Sequence, residues 1–357
     1  MNRIELRHWL SLYQQPYSVW AQVIESIGET EGGSFELLEG YTNRLPGIDE
    51  PLIEDVEAWL GESEQHHLLT CFDLPLHLKA IPDPPLLLFC VGDLNCLNLP
   101  MLAVIGSRNP SHAGRGHASE ICADLALSGW TLVSGMAQGI DGIAHKQALN
   151  ERCPTIAVLG TGHRHDYPAR HAGLARQIEK QGLSISEYLP SMGPRKHQFP
   201  RRNRLISGLA HGVVVIEAAS RSGTLITCEY AAEQGRDVFA MPGDINNPKV
   251  AGCHRLIREG AILVTHAAQI NEHFGRESNS EPGRLNGGCQ ESEQSLNLLS
   301  KEEQAVYQAV DWQPLSVNQI QNRLSMKLEL VLSVLFSLEL KGLVTQSACG
   351  YLRRQPE

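Results

Sequence analysis

The chain has 357 residues, 42% of them apolar and 20% charged, with a formal net charge of −10. That length allows two or three domains with sizeable cores, and the composition is that of a globular protein rather than a disordered or fibrous one. No run of about 18 uncharged apolar residues marks a membrane span, and the opening MNRIELRHWL carries charge where a signal peptide needs an apolar centre, so the expected address is the cytoplasm.

The first 75 or so residues read as short helices. Trp9, Leu10, Leu12 and Tyr13, then Val19, Trp20, Val23, Ile24 and Ile27, recur at helical spacing, punctuated by Pro16, Gly32-Gly33 and Pro46-Gly47. Residues 1–78 are therefore expected to form a small helical domain of the SAM or helix-hairpin-helix kind. After a proline break, DPPLLLFCVGD (83–93) reads as a short buried strand. From Met101 strands alternate with helices: strand 101–106, helix 114–130, strand 131–135, helix 139–151, strand 155–162, helix 169–182, strand 183–188, helix 202–210, strand 211–219, helix 224–235 and strand 237–243. Strands this apolar between helices imply βαβ units and a parallel sheet covered on both faces. The expected fold class is α/β, with an extended Rossmann-like parallel-sheet domain over 79–275. Residues 276–298 are polar and rich in Gly, Ser, Asn and Glu, the composition of a flexible linker. Residues 299–357 read as helices 300–310, 316–324 and 327–342 followed by a hairpin over 343–354 with Gly350 at its turn, a winged-helix pattern.

The acidic excess is local. Residues 1–80 hold 4 basic and 14 acidic residues, whereas 81–275 hold 18 and 16. Within the latter, 188–216 carries Arg195, Lys196, Arg201, Arg202 and Arg204 and no acid, a patch suited to a polyanion despite the global sum. The nine cysteines are odd in number and form no CxxC pair, which argues against a disulfide framework and a zinc ribbon. No metal and no cofactor is expected.

Ligands of open α/β sheets bind beyond the C-terminal strand ends, and three loops rich in Gly and hydroxyls fall there. They are Gly106-Ser107-Arg108, Ser134-Gly135 with Gly139 and Asp141, and Ser220-Arg221-Ser222-Gly223-Thr224. Such loops turn backbone N–H groups and helix N-termini toward anions. GxxxxGK[ST] is absent, and Gly114-Arg115-Gly116 lies too far past its strand for a dinucleotide turn. A fourth element, Lys196-His197-Gln198-Phe199-Pro200-Arg201-Arg202-Asn203-Arg204, combines cations with an aromatic ring. Phe199 has polar residues at i±3 and i±4, a poor setting for a buried ring. Arg202 and Arg204 have an alternative, inward role as partners of Glu217 or Asp141. For catalysis the sequence offers little: His145, His163 and His165 accompany no hydrolase or metal motif.

In order along the chain, GSRNPS (106–111), SGMAQGIDGIAH (134–145), FPRRNRLISGLA (199–210), SRSGTLITCEYAAEQGRDVFAMPG (220–243) and GCHRLIREGAILV (252–264) resemble the DNA-processing protein A (DprA, also called Smf) family. The resemblance is close over about 100–275 and looser outside it. It implies a bacterial protein of natural transformation that binds single-stranded DNA, dimerises through its Rossmann domain, helps load the RecA recombinase and catalyses no reaction. By motif, Arg108 matches a phosphate-contacting arginine, Lys196 a DNA-contacting lysine and Phe199 a base-stacking aromatic. Arg201, Arg202, Asn203 and Arg204 fall in the RNR element, and Ser222, Gly223 and Thr224 match the SGT loop. Gly106, Ser107, Ser134 and Gly135 complete the expected DNA-binding set. A competing reading is a Rossmann-like nucleotide phosphoribohydrolase using the SGT loop and Glu229. Its acid falls five residues after the Thr rather than three, about 200° round a helix. The third helix of the C-terminal unit has Lys327 and Lys341 only at its ends and Glu329 and Glu339 inside, poor equipment for reading bases. That leaves Arg353 and Arg354 of the wing for duplex backbone, or a protein-binding or dimer-packing role.

Overall fold

Four helices open the chain: α1 (Arg3–Tyr13), α2 (Tyr17–Gly28), α3 (Phe35–Thr42) and α4 (Glu50–Gly61). Asn2 and Glu5 form a capping box that starts α1. The structure, a computed structural model, describes residues 2–28, 35–43, 45, 50–276, 299–310, 315–324, 326–347 and 350–353. Two compact units divide the chain, 1–279 and 280–357.

In the first unit the helical expectation for the opening 75 residues fails at its end. His66–Thr70 is a strand, β1, paired antiparallel with β2 (Leu87–Gly92) through His66↔Val91 to Thr70↔Leu87. A five-residue stretch with two histidines has no alternation strong enough to declare itself; pairing with the fully buried β2 makes it a strand. Helix α5 (Leu76–Lys79) bridges the two.

The alternating series follows as β3 (Met101–Ile105), α6 (His112–Leu127), β4 (Thr131–Ser134), α7 (Ile140–Asn150), β5 (Thr155–Val158), α8 (Ala172–Gln181), β6 (Leu183–Ser186), α9 (Gln198–Leu209), β7 (Gly212–Val215), α10 (Thr224–Glu233), β8 (Asp237–Ala240), α11 (Ala251–Arg258), β9 (Ile262–Leu263) and α12 (Ala267–His273). The nine strands form one sheet in the order β1-β2-β6-β5-β4-β3-β7-β8-β9. β3 through β9 are mutually parallel, as expected. The sheet is nonetheless mixed, because β2 lies antiparallel to β6 and brings β1 with it.

Strand β3 shows why both faces are covered. Met101, Ala103 and Ile105 enter a core shared with Leu205 and Leu209 of α9, while Leu102 and Val104 enter another with Ile121 of α6 and Ala144 of α7. The first core runs on without a break to Leu10, Trp59 and Phe89, so the N-terminal helices and the sheet share one apolar interior. At the other end of the unit Arg276 caps α6, donating to Ser128 O and Gly129 O at 3.3 Å and lying 4.2 Å over Trp130. The expected linker of 276–298 thus begins with a packed residue, and the rest of it lies outside the described residues.

The second unit has helices Lys301–Ala309, Val317–Leu324 and Leu328–Leu340 and a hairpin pairing Val344–Ser347 with Gly350–Arg353. Leu315 adds a bridge to Tyr351, the short first strand of a winged helix. The wing's Arg353 is not available to DNA backbone: it donates to Tyr307 O, Gln308 O and Val310 O and caps the first helix. Arg354 lies outside the described residues.

Candidate nucleic-acid interface

Strand order reverses between β3 and β7. The chain proceeds outward through β4, β5 and β6 on one side, then returns to β7, β8 and β9 on the other. Loops leaving β3 and β7 therefore diverge and open a crevice at their C-terminal ends, where ligands of such sheets bind. A cleft of about 700 Å³ occupies that place, lined among others by Gly106, Ser107, Arg108, Asp141, Lys196, Phe199, Arg202, Asn203, Ser222, Gly223 and Thr224.

Backbone contacts knit its loops together. Ser107 N–H donates to Glu217 O at 2.7 Å and Ile140 N–H to Ser107 O at 3.1 Å. The Thr224 hydroxyl donates to Gly106 O at 3.2 Å, and Ser222 Oγ caps Thr224 N–H. At Gly139, with φ +84°, a Cβ would stand 2.2 Å from Ser107 O, so the loop after β4 closes against the Gly-Ser-Arg turn only with glycine there. The N-terminus of α10 opens onto the cleft behind Ser222 and Gly223, adding its positive dipole end.

Helix α9 starts at Gln198, four residues before the expected 202, and this decides which of its side chains meet the cleft. Phe199, Arg202, Asn203 and Ile206, spaced as one helical face, line it. Arg201 and Arg204 turn the other way, toward Asp83 and Glu187. Arg204 is 3% exposed and pairs with Glu187 at 2.5 Å and Asp83 at 3.0 Å, while Arg201 approaches the same acids at 3.5–3.6 Å. Glu187 lies just before 188–216 and Asp83 far back in the chain, and together they neutralise two of that patch's five cations. Arg204 is thus a scaffold residue rather than a DNA contact, with Glu187 and Asp83 as its partners in place of Glu217 or Asp141. Arg201 lies outside the cleft lining.

Ser134 is also withdrawn: it is fully buried, and its hydroxyl donates to Val104 O at 2.6 Å. Gly135 sits beneath Arg202, whose guanidinium a Cβ there would meet at 2.7 Å. Arg202 donates to Gly135 O at 2.7 Å and to Val158 O, tying the ends of β4 and β5 together. Burial pulls its pKa down to about 10, and nearby Asp141 resists the fall. Asp141 accepts from Gly135 N–H and Ala137 N–H at 3.2 Å; burial raises its pKa, opposed first by Arg202. The cleft floor is thus a compensated buried pair, and its exposed cations are Arg108, Lys196 and Arg221, none ion-paired among the described residues.

Phe199 is half-buried. Its ring lies against Gly160, where a Cβ would stand 2.7 Å from Cδ1, and 5.0 Å from the ring of Tyr167, itself a cleft residue. Tyr167, Arg221, Asn109 and Lys249 are cleft residues missing from the expected set. Lys249 donates to Asn109 O at 2.7 Å. Treating every loop after a parallel strand as a candidate would have found all four, since they follow β5, β7, β3 and β8.

The possible catalytic groups lie elsewhere. His145 is fully buried on Thr155 Oγ1 at 2.8 Å, and burial lowers its pKa to about 3. His163 lies 5.5 Å from the Trp59 ring at a tilt of 37° and faces Ser184 O, while His165 faces Ser191 O. Glu217 is 1% exposed and accepts from the Ser111 N–H and hydroxyl. Glu229 is exposed on α10 outside the cleft lining. Among the described residues no His, Cys, Asp and Glu cluster suits a metal ion, and no helix is long and apolar enough to cross a membrane.

A family model described as DNA recombination-mediator protein A matches residues 68–275, and one described as the DprA winged helix domain matches 290–348. The chain is 41% identical to protein Smf of Escherichia coli K12 over 276 residues, covering 76% of this chain and 71% of that protein. To DNA processing protein DprA of Streptococcus pneumoniae R6 it is 46% identical over 200 residues, 56% of this chain and 71% of the relative. Among solved structures, DprA from Streptococcus pneumoniae superposes with TM-score 0.59 at 36% identity, covering 75% of this chain and 92% of that one. DNA processing protein A from Helicobacter pylori, described for its single-stranded DNA binding mode, gives TM-score 0.55 at 29% identity, covering 59% and 95%.

Proposed function

The chain belongs to the DNA recombination-mediator protein A (DprA/Smf) family, and on that premise we propose that its cleft binds single-stranded DNA without catalysis and passes the strand to the RecA recombinase during transformation. One observation carries the reading: the paired rings of Phe199 and Tyr167 stand in the same cleft as Arg108, Lys196 and Arg221. Single strands need both features, aromatic faces for unpaired bases and cations for the backbone between them. Asn203, Ser107, Ser222, Gly223 and Thr224 supply hydrogen-bonding groups round the same space. The Helicobacter pylori relative, described for binding single-stranded DNA, supports the ligand class. The family's description as a recombination mediator supports the RecA step.

In this reading the protein acts in the cytoplasm as a homodimer joined through its Rossmann-like domain, with the helical segment 1–78 and the winged-helix unit 299–357 as flanking parts. A mobility-shift assay with single-stranded, duplex and mononucleotide ligands tests the cleft. Preference for the single strand, without Mg²⁺ or ATP, is the expected result; equal binding of mononucleotide, or its hydrolysis, overturns it. RecA assembly on a protein-coated single strand, with and without this chain, tests the loading step.

A further inference from the structure

The two loops that carry Tyr167 and Lys196 into the cleft are fastened to each other. Loop 159–168 follows β5 and loop 187–197 follows β6. Gly162 N–H donates to Met192 O at 2.8 Å and Arg164 N–H to Pro190 O at 3.1 Å, while His165 Nε2 lies 2.9 Å from Ser191 O. A Cβ at Gly162 would stand 2.0 Å from Leu189 O, so the two backbones touch.

A second fastening comes from the N-terminal helices. Asp55 of α4 accepts from Arg164 Nη1 at 2.6 Å through one carboxylate oxygen and from the Ser191 hydroxyl at 2.5 Å through the other. Glu62, just past the end of α4, accepts from Arg164 Nη2 at 2.5 Å. One carboxylate, Asp55, thus clasps both loops at once. Its own helix is well anchored: Ile53, Val56 and Trp59 enter the core shared with the sheet, and Trp59 packs edge-on against Phe89 of β2 at 5.7 Å. Tyr13 of α1 adds a hydrogen bond to Glu187 O at 3.0 Å, where the second loop begins.

Stability does not account for this clasp, but position does. Asp55 and Arg164 side chains are 27% and 35% exposed, and ion pairs that water reaches contribute little to folding. Arg164 stands three residues before Tyr167, and Ser191 five before Lys196, both of which line the cleft. Loops already held in place spare a ligand the loss of freedom that ordering them on contact would entail.

Resting on the reading of the cleft as a single-strand site, we propose that Asp55 is a positioning residue for it. Through Arg164 and Ser191 it keeps the Tyr167 and Lys196 loops in the arrangement that receives the strand, and so links the N-terminal helices to DNA affinity. The sign of the effect is diagnostic. An acidic residue repels a polyanion, so by field alone its removal should tighten binding. Loss of the clasp should weaken it.

Anisotropy titrations of a labelled single strand with the full chain, beside thermal melts, test this. Asp55→Ala should weaken binding roughly 3- to 10-fold, the effect of ordering one or two side chains on contact, with Tm within a few degrees of wild type. Glu54→Ala removes an exposed carboxylate of the same helix that has no ion pair among the described residues, and it should bind as wild type or slightly tighter. In an Arg164→Ala, Ser191→Ala background, Asp55→Ala should have no further effect on affinity. If Asp55→Ala misfolds, Asp55→Asn takes its place: it keeps an acceptor for Ser191, loses the charge facing Arg164, and should weaken binding by less. Hydrogen–deuterium exchange without DNA reads the loops themselves, and peptides over 159–168 and 187–197 should exchange faster in the Asp55 variant than in wild type. Unchanged or tighter binding by the folded variant, a loss that persists in the Arg164→Ala, Ser191→Ala background, or unchanged loop exchange would overturn the proposal. A wild-type chain that binds no single strand would strike the reading of the cleft instead, and loop exchange would still decide whether Asp55 holds the loops.

Discussion

Replacing Phe199 by Ala removes the ring that one side of the cleft is built to hold. The ring is seated against Gly160 and lies 5.0 Å from Tyr167, with the rest of its surface lining the cleft. Stacking on such a ring contributes about 1–3 kcal/mol per base, so Phe199→Ala should weaken single-strand binding roughly 5- to 150-fold. No charge is lost, so the slope of log K against log salt should stay unchanged. Because the ring is only half-buried, its removal should cost about 1–2 kcal/mol of stability, below the ~3–5 kcal/mol of a core Phe→Ala, and should lower Tm by only a few degrees. Phe199→Trp should restore most of the binding. A second perturbation leaves the ring but moves it. The methyl group of Gly160→Ala would stand 2.7 Å from Phe199 Cδ1, so the ring must shift by about 1 Å to regain van der Waals contact. That variant should weaken binding less than Phe199→Ala and with the same flat salt response. Fluorescence anisotropy with a labelled oligonucleotide at several salt concentrations, beside thermal melts, measures all of it. Binding within twofold of wild type after Phe199→Ala, with a Tm lowered by many degrees, would show that the ring is packing and not a platform.

Arg108→Ala and Lys196→Ala should each lower the salt slope of single-strand binding by ~0.7 and weaken all sequences alike, since each removes one backbone contact; a salt titration in anisotropy reads this. Arg204→Ala should instead act on folding. It strands Glu187 in the interior and should cost about 3–5 kcal/mol in chemical denaturation, whereas Arg201→Ala, at a half-exposed and looser pair, should cost under about 1 kcal/mol. Acid should destabilise the fold through His145. Its pKa is lowered from the ordinary 6.5 to about 3 by burial, so the unfolded chain binds a proton that the folded one refuses between those values. The His145 contribution is therefore whole above pH 6.5 and shrinks as pH falls, by about 2 kcal/mol at pH 5. His145→Gln should flatten that part of the stability–pH curve, and an unchanged slope would remove His145 as its source.

The parallel core was legible because a strand covered on both faces must be apolar throughout, a signal local to each segment. Loops leaving such strands carry their own mark, since only glycine fits where Gly139 meets the Ser107 carbonyl. Gly106, Ser107, Arg108, Lys196, Phe199, Ser222, Gly223 and Thr224 could therefore be named from the chain alone, and the fold gathers them round one cleft. The antiparallel β1 left no such trace, because its strand character comes from its partner.

The arginines show most clearly where sequence stops. Arg201, Arg202 and Arg204 look alike as letters in one basic stretch. Their roles depend on the phase of α9, which begins at Gln198, and on acids distant in sequence or just outside the stretch. One phase puts Arg202 under the cleft floor beside Asp141 and sends Arg204 to Glu187 and Asp83 on the far side. The sequence by itself determined the parallel strands, the loops that leave them and the local sign of the charge, because those follow from near neighbours in the chain. Only the tertiary structure decided which cations remain free for a ligand, because neutralising a charge depends on distance in space.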